Sequence, residues 1–306
     1  MVLLKIVVIS GPTAAGKTAT AIAVAAAIDG EIVNADSLQV YRHLDVGTAK
    51  PTKEEQAVVP HHLIDVVDPD EPYSAARYQK EADEVIAGLD ERQKVPLMVG
   101  GTGLYIRSLL YGLCSIPDIP PVIRQEVRQQ LEKDGVEVLH DRLRRVDPQT
   151  ADQLTPRDQS RVSRALEVFL ATGTSIRRFQ GQHRFARPRY RFLHLFLHCD
   201  RELLYERINQ RVQTMMAAGF LDEVKRLLAM GFPPSLKPLQ SIGYRQLILH
   251  CQGEISLDEA VRQTARDTRH YAKRQYTWFA REAGVTMVDE AERDRIPRLI
   301  EMFLKE

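Results

Sequence analysis

The sequence predicts an α/β protein, a parallel sheet flanked by helices and interrupted by an inserted helical domain, and three observations carry that expectation. The first is the octapeptide Gly11-Pro12-Thr13-Ala14-Ala15-Gly16-Lys17-Thr18, set between the apolar run Leu3 to Ile9 and the alanine-rich run Ala19 to Ala27. The second is the same grammar at Val95 to Val99, an apolar strand that runs into glycines and then an amphipathic helix. The third is a charge-rich helical stretch that opens at Ile116 to Pro121, where Pro117, Pro120 and Pro121 break the chain away from the preceding αβ region.

With 306 residues, 44% hydrophobic and 27% charged, the chain can build one large or two moderate domains with a real core. Its 42 Lys and Arg against 41 Asp and Glu leave a formal net charge of +1, so any argument for a nucleic-acid partner must come from local asymmetry. Cys114, Cys199 and Cys251 are far apart and fit neither a disulfide framework nor zinc-ligand spacing, which points to a reducing compartment. The N-terminal apolar stretch is too short for a membrane span and leads into the octapeptide rather than a cleavage site. A cytoplasmic protein without a membrane partner is expected.

The octapeptide satisfies G-x-x-x-x-G-K-[ST] through Gly11, Gly16, Lys17 and Thr18, and the flanking strand and helix supply the context that signature requires. The expected fold class is therefore P-loop NTPase-like. Backbone N–H groups of Gly11 to Thr18 turn inward and the helix N-terminus adds its positive end. Lys17 adds a cation, and Thr18 offers a hydroxyl to Mg²⁺. Such a nest fits a diphosphate or larger anion, as in ATP-binding and other nucleotide-binding loops. Hydrolysis is a separate matter. "PLMVGG", Pro96 to Gly101, ends in glycine where a hydrolase or kinase of this kind presents an Asp for the metal.

A second strand, Glu31 to Ala35, is followed by "DSLQ". Polar residues just past the carboxyl end of a parallel strand face the ligand crevice, so Asp36, Ser37 and Gln39 are expected there. Position alone leaves Asp36 open between a general base, a turn cap and a water-mediated Mg²⁺ contact. After the third strand, Gly100, Gly101 and Gly103 allow close backbone approach and Thr102 is the side chain left to touch a substrate.

Beyond the prolines, Pro121 to Val146 reads as a helix pair. Val122, Val127 and Leu131 are expected on its buried face, with Arg124, Arg128 and Glu132 solvated. Arg157 to Gly173 reads as a helix stopped by Gly173, with Arg157, Arg161 and Arg164 on one face. Arg177 to Arg191 holds six arginines, His183 and no acidic residue, interleaved with Phe179, Phe185 and Tyr190, a pattern that points to a polyanion. Strand character returns at Phe192 to Leu197. A helix-rich segment, Leu203 to Val224, follows with Met215 and Met216 expected in core or hinge. The last long helix, Ser256 to about Arg281, carries a second basic stripe of Arg262, Arg266, Arg269 and Lys273 beside Tyr271, Tyr276, Trp278 and Phe279. The expected organisation is a first core segment at 1–114, a basic helical insertion at 115–190, and the core's return with the C-terminal helices at 191–306.

"GPTAAGKT", "NADSLQVYRHLDVGTAKP", "VGGTGLY", "SRVSRALEV", "NQRVQTMMAAGFLDEV", "LQSIGYRQ" and "AKRQYTWFAR", in that order, resemble the bacterial tRNA dimethylallyltransferases, also called tRNA isopentenyltransferases, from Ile9 to about Arg281. The resemblance implies transfer of a dimethylallyl group from dimethylallyl diphosphate to N6 of adenosine 37, beside the anticodon of tRNA, by a monomeric enzyme that uses Mg²⁺ and does not consume ATP. It implies that Gly11 to Thr18 hold the diphosphate, with Lys17 and Thr18 as diphosphate and metal contacts. Asp36 would take the N6 proton, Thr102 would lie beside the adenine, and Arg211 would brace the diphosphate. Asp36, Ser37, Leu38 and Gln39, then Ser160, Arg161, Val162, Ser163 and Arg164, would touch the anticodon stem-loop, with Arg124 as a further basic contact. Eukaryotic relatives often add a C-terminal zinc finger. No Cys/His pair follows Cys251, so the bacterial form is the closer match and no zinc is expected. Ala15 stands where many relatives have serine, with little effect expected because the loop works through its backbone.

Three other readings remain to be weighed against this one. An isopentenyltransferase acting on free AMP or ADP would share the phosphate loop but has less need of the arginine-rich insertion. A P-loop kinase or NTPase with an RNA-binding insertion would bind and turn over ATP. A noncatalytic RNA-binding protein would have no use for Lys17 and Asp36 in one crevice.

Overall fold

The computed structural model describes residues 3–306. Six strands form one wholly parallel sheet: β1 (Lys5–Ser10), β2 (Gly30–Asn34), β3 (His61–His62), β4 (Val95–Gly100), β5 (Arg191–Leu197) and β6 (Val285–Val288). Their order is β3-β2-β4-β1-β5-β6. Central β1 is buried on both faces from Ile6 to Ser10, as a parallel strand covered by helices must be. The chain leaves β1 to one side and returns to the other, so the C-terminal ends of β1 and β4 form the switch point at which such sheets bind ligands.

Alternate residues of the strands supply the core on each face. Val7, Ile9, Leu97, Val99, Leu195 and Leu197 pack with Ala21, Val24 and Ala25 of helix α1 (Lys17–Ala27). Ile296, Ile300 and Phe303, from the C-terminal helix Ile296–Lys305, join the same cluster. A buried polar pair lies within the sheet, where Ser10 Oγ and His194 Nε2 are 2.7 Å apart. Burial pushes the His194 imidazole down to about 4, so it is neutral at physiological pH.

The chain divides into two compact units, one containing the segment up to Leu110 together with Arg189–Glu306, the other Tyr111–Pro188. The first holds the sheet. Arg189 and Tyr190, read from sequence as part of the insertion and its polyanion stretch, fall in this first unit and both bind Asp83: Arg189 Nη2 donates to Oδ2 at 2.6 Å and Tyr190 Oη to Oδ1 at 2.6 Å. They are anchors of the fold. Arg191 likewise pairs with Glu306.

The second unit is helical. Its long helical segment, Pro121–Val146, is two helices joined across Gly135, whose φ of 83° breaks the helix. Val127, Leu139 and Leu143 pack against Val162, Ala165 and Leu166 of the helix Gln159–Thr172, which Gly173 ends in the left-handed conformation. Two expectations fail here. Val122, in the first turn, is 69% exposed rather than buried. Arg157 precedes the helix, whose N-cap is Asp158, and so does not share a helical face with Arg161 and Arg164.

Candidate active site

The phosphate loop links β1 to α1 with Ala14 and Gly16 both at positive φ, 66° and 81°. That pair of left-handed residues turns successive N–H groups to one side, and Gly16 alone adopts the conformation without a Cβ penalty. Gly11, Pro12 and Ala15 are buried beneath the loop. Thr13, Ala14, Gly16, Lys17 and Thr18 line a cavity of about 860 Å³ above it.

Lys17 curls back, its Nζ donating to the carbonyl oxygens of Gly11 at 3.0 Å and Pro12 at 2.8 Å. Burial and the nearby Arg211 guanidinium push its ammonium down to about 8, while the Asp36 carboxylate pulls it back up. Arg211 projects into the same cavity from the helix Arg201–Ala217. Burial depresses it, and Asp36 opposes that shift. Two cations and one carboxylate, brought from three separate elements, therefore act on one another at the loop.

Asp36 follows β2. Asn34 Oδ1 accepts its N–H at 3.1 Å, and Asp36 Oδ1 accepts the Leu38 N–H at 2.9 Å. That is a turn cap, but it engages one oxygen only; among the described residues Oδ2 has no hydrogen bond. The cap and base readings of Asp36 are thus compatible, one on each oxygen. Ser37 N–H donates to Thr102 Oγ1 at 3.0 Å, and Thr102 N–H to Ala35 O at 3.1 Å, zipping the ends of β2 and β4 together. Gln39 Nε2 donates to Thr48 O and Ala49 O, each at 3.2 Å, so its amide shapes the following loop. Asp36, Ser37, Leu38, Gln39 and Thr102 all line the cavity.

The glycines at the end of β4 and just past it approach protein. An added Cβ would stand 2.2 Å from Ala35 O at Gly100 and 2.1 Å from Gln275 Nε2 at Gly101. Gln275 belongs to the long helix Leu257–Phe279, whose inner stripe of Thr264, Thr268, Tyr271 and Gln275 lines the cavity. The basic stripe singled out in the sequence lies beside this one, and Arg262, Arg266 and Arg269 bond to Glu259, Asp267 and Asn209. The spacing 264, 268, 271 and 275 was available as a signal of a polar helix face. Met215, expected in core or hinge, lines the cavity with Ile208 and Val212.

Glu223 was missed as well. It is 1% exposed, and its carboxylate accepts the N–H groups of Asp45, Val46 and Gly47 at 3.0, 2.7 and 3.1 Å, plus Tyr244 Oη at 2.6 Å. It fixes the loop that presents Gly47, Thr48 and Ala49 to the cavity.

Of the second-unit residues, Arg124, Ser160 and Arg161 are exposed and Ser163 and Arg164 are half-buried. Val162 is 0% exposed in the helical core, so its side chain cannot reach a nucleic acid.

A family model described as IPP transferase matches residues 39–282. The chain belongs to the IPP transferase family. A second model, isopentenyl transferase, matches residues 4–65. This family member is 54% identical to a tRNA dimethylallyltransferase of Syntrophobacter fumaroxidans over 94% of this chain and 84% of that one. It is 50% identical to one of Geobacter metallireducens over 93% and 92%. Among solved structures, the tRNA isopentenylpyrophosphate transferase of Bacillus halodurans aligns with a TM-score of 0.73 at 38% identity, covering 98% of this chain and 97% of that one. A eukaryotic dimethylallyltransferase acting on tRNA gives 0.80 at 28%, covering 94% and 74%.

Proposed function

We propose that this IPP transferase family member transfers a dimethylallyl group from dimethylallyl diphosphate to N6 of adenosine 37 in tRNA, releasing diphosphate. The observation that carries the reading is the joint exposure of Lys17, Arg211 and Asp36 to one cavity floored by a phosphate loop. Curated relatives named tRNA dimethylallyltransferase support it across nearly the whole chain.

The diphosphate lies on the N–H groups of the loop, between Lys17 and Arg211. As the allylic C1–O bond breaks, negative charge grows on the leaving oxygen and both cations stabilise it. The N6 lone pair of adenine forms the new bond to C1, and Asp36 Oδ2 accepts the proton that N6 sheds. Thr102 lies beside the adenine, its hydroxyl held by the Ser37 N–H. The base must leave the anticodon stack to reach Asp36, at a cost of a few kcal/mol. Arg124, Ser160, Arg161, Ser163 and Arg164 of the helical unit supply contacts to the stem-loop that offset this.

Mg²⁺ fits the donor set. Among the described residues no cluster of three or more His, Cys, Asp or Glu could hold a metal by itself. The Thr18 hydroxyl and diphosphate oxygens are hard donors of the kind Mg²⁺ takes with water. Thr18 would hold the ion, which when bound neutralises charge on the leaving diphosphate. Among the described residues no helix is long and apolar enough to cross a membrane.

The test is incubation with labelled dimethylallyl diphosphate and either an anticodon stem-loop or AMP, followed by mass spectrometry of the nucleosides. N6-dimethylallyladenosine at position 37 of the stem-loop is expected. Label on AMP alone, or ATP turnover in place of transfer, overturns the reading.

A further inference from the structure

Gln275 is 5% exposed, and both ends of its amide are engaged. Oε1 accepts the Thr13 N–H at 2.9 Å, and Nε2 donates to Gly101 O at 3.0 Å. Thr13 belongs to the phosphate loop. Gly101 belongs to the loop after β4, which Thr102 ties to Ser37, the neighbour of Asp36. One side chain thus bridges the loop under the diphosphate and the wall beside the adenine.

The fit is chemically narrow. The bridge needs an acceptor and a donor a fixed distance apart, which an amide provides and a carboxylate or ammonium does not. It also needs Gly101, since a Cβ there would stand 2.1 Å from Gln275 Nε2. Tyr271, one turn earlier on the same helix, lines the same cavity as Thr102. The Thr13 N–H, which a phosphate nest would otherwise aim at its anion, is given to Gln275 instead.

We propose that Gln275 is a positioning residue that sets the separation of the diphosphate cradle from the Asp36–Thr102 wall, and so acts on the transfer step through both loops. The proposal rests on the transferase reading above. Its role is geometric: near-attack distance between C1 and N6 depends on two loops that leave the sheet just past the last β1–β4 pair, Ser10 and Gly100, and beyond that pair Gln275 bridges them.

The test compares the full-length wild type with Gln275→Met, Gln275→Ala, Gly101→Ala and the double variant Gln275→Ala/Gly101→Ala. Turnover, KM for each substrate, Tm, and amide hydrogen exchange at 11–18 and 100–103 without substrate are measured. Gln275→Met is expected to lower kcat by roughly 10- to 100-fold. KM should stay within about threefold, because the interaction is with protein and not with ground-state substrate. Exchange should quicken in both loops. Gly101→Ala, which forces the same separation from the other side, should add almost nothing in the Gln275→Ala background, in kcat or Tm. Unchanged kcat, exchange altered in one loop only, or additive Gln275→Ala and Gly101→Ala effects would overturn the proposal. A wild type that transfers nothing overturns the functional reading instead, and the exchange and Tm coupling still decide whether Gln275 joins the loops.

Discussion

Lys17 Nζ stands 2.8 Å from the carbonyl oxygen of Pro12, so the loop's cation is bonded within the loop itself before any anion arrives. Its ammonium is held down near 8 chiefly by burial. In an unfolded chain the same group titrates near 10.5. Between those values the unfolded state binds more protons, so stability rises with pH across that window and the cost of the buried charge is fully present below it. Lys17→Met should therefore be more stable than wild type at pH 7, by an amount on the order of a few kcal/mol, the advantage fading as pH climbs from about 8 towards 10.5. Denaturant unfolding of both proteins at pH 7 and pH 9.5 checks the sign. The same variant should lose most of its diphosphate affinity by calorimetry, since stability was given up for binding.

Asp36 has one oxygen in a turn cap and the other without a hydrogen bond among the described residues, which lets two roles be separated by substitution. Asn retains an acceptor for the Leu38 N–H but cannot take a proton. Asp36→Asn is expected to keep the fold and stem-loop affinity while turnover falls by at least ~100-fold, as for loss of a general base. Single-turnover kinetics with a parallel stem-loop binding titration distinguish this from a positioning role, in which affinity would fall in step with rate.

Glu223 accepts three backbone N–H groups and one hydroxyl, so truncating it leaves several buried donors unpaired at once. Glu223→Ala should cost at least ~3 kcal/mol, taking the lower end of the penalty for each orphaned donor. Gly47→Ala should be nearly as damaging, because a Cβ there would stand 2.2 Å from the Phe220 ring. Chemical denaturation of each variant gives the loss directly. Both should also impair transfer, through the displaced Thr48 and Ala49.

The sheet, the phosphate loop and the Asp36 crevice were legible because each is written in contiguous residues: an apolar run, a glycine spacing, a polar strand end. Gln275 and Glu223 were not, because their partners lie far off in sequence, 262 residues for Gln275 and Thr13. The basic stripe of the helix Leu257–Phe279 drew attention through its charge, whereas the neutral stripe beside it lines the cavity. Charge is visible in a sequence, and the direction a helix faces depends on what it packs against. For the same reason Arg189 and Tyr190 read as a polyanion surface until Asp83, contributed by a distant helix, is seen between them.

Within the "SRVSR" run the structure separates residues that the sequence grouped. Val162 is core, with Val127, Leu139 and Leu166 about it. Val162→Asp should unfold the helical unit outright by burying an unpaired carboxylate. Arg161 is exposed, its guanidinium in a loose contact with Asp158 at 3.5 Å, and Arg164 faces Glu167 at 3.6 Å. Surface pairs of that kind contribute about 0–1 kcal/mol, so removing either arginine should leave stability nearly unchanged. If the two contact stem-loop phosphates, each Ala substitution should weaken binding and reduce the slope of log affinity against log salt by about one. Titrations of Arg161→Ala and Arg164→Ala over a range of salt concentrations measure that slope. A loss of affinity with the slope unchanged would place both arginines outside the phosphate path and leave Arg124 to carry it.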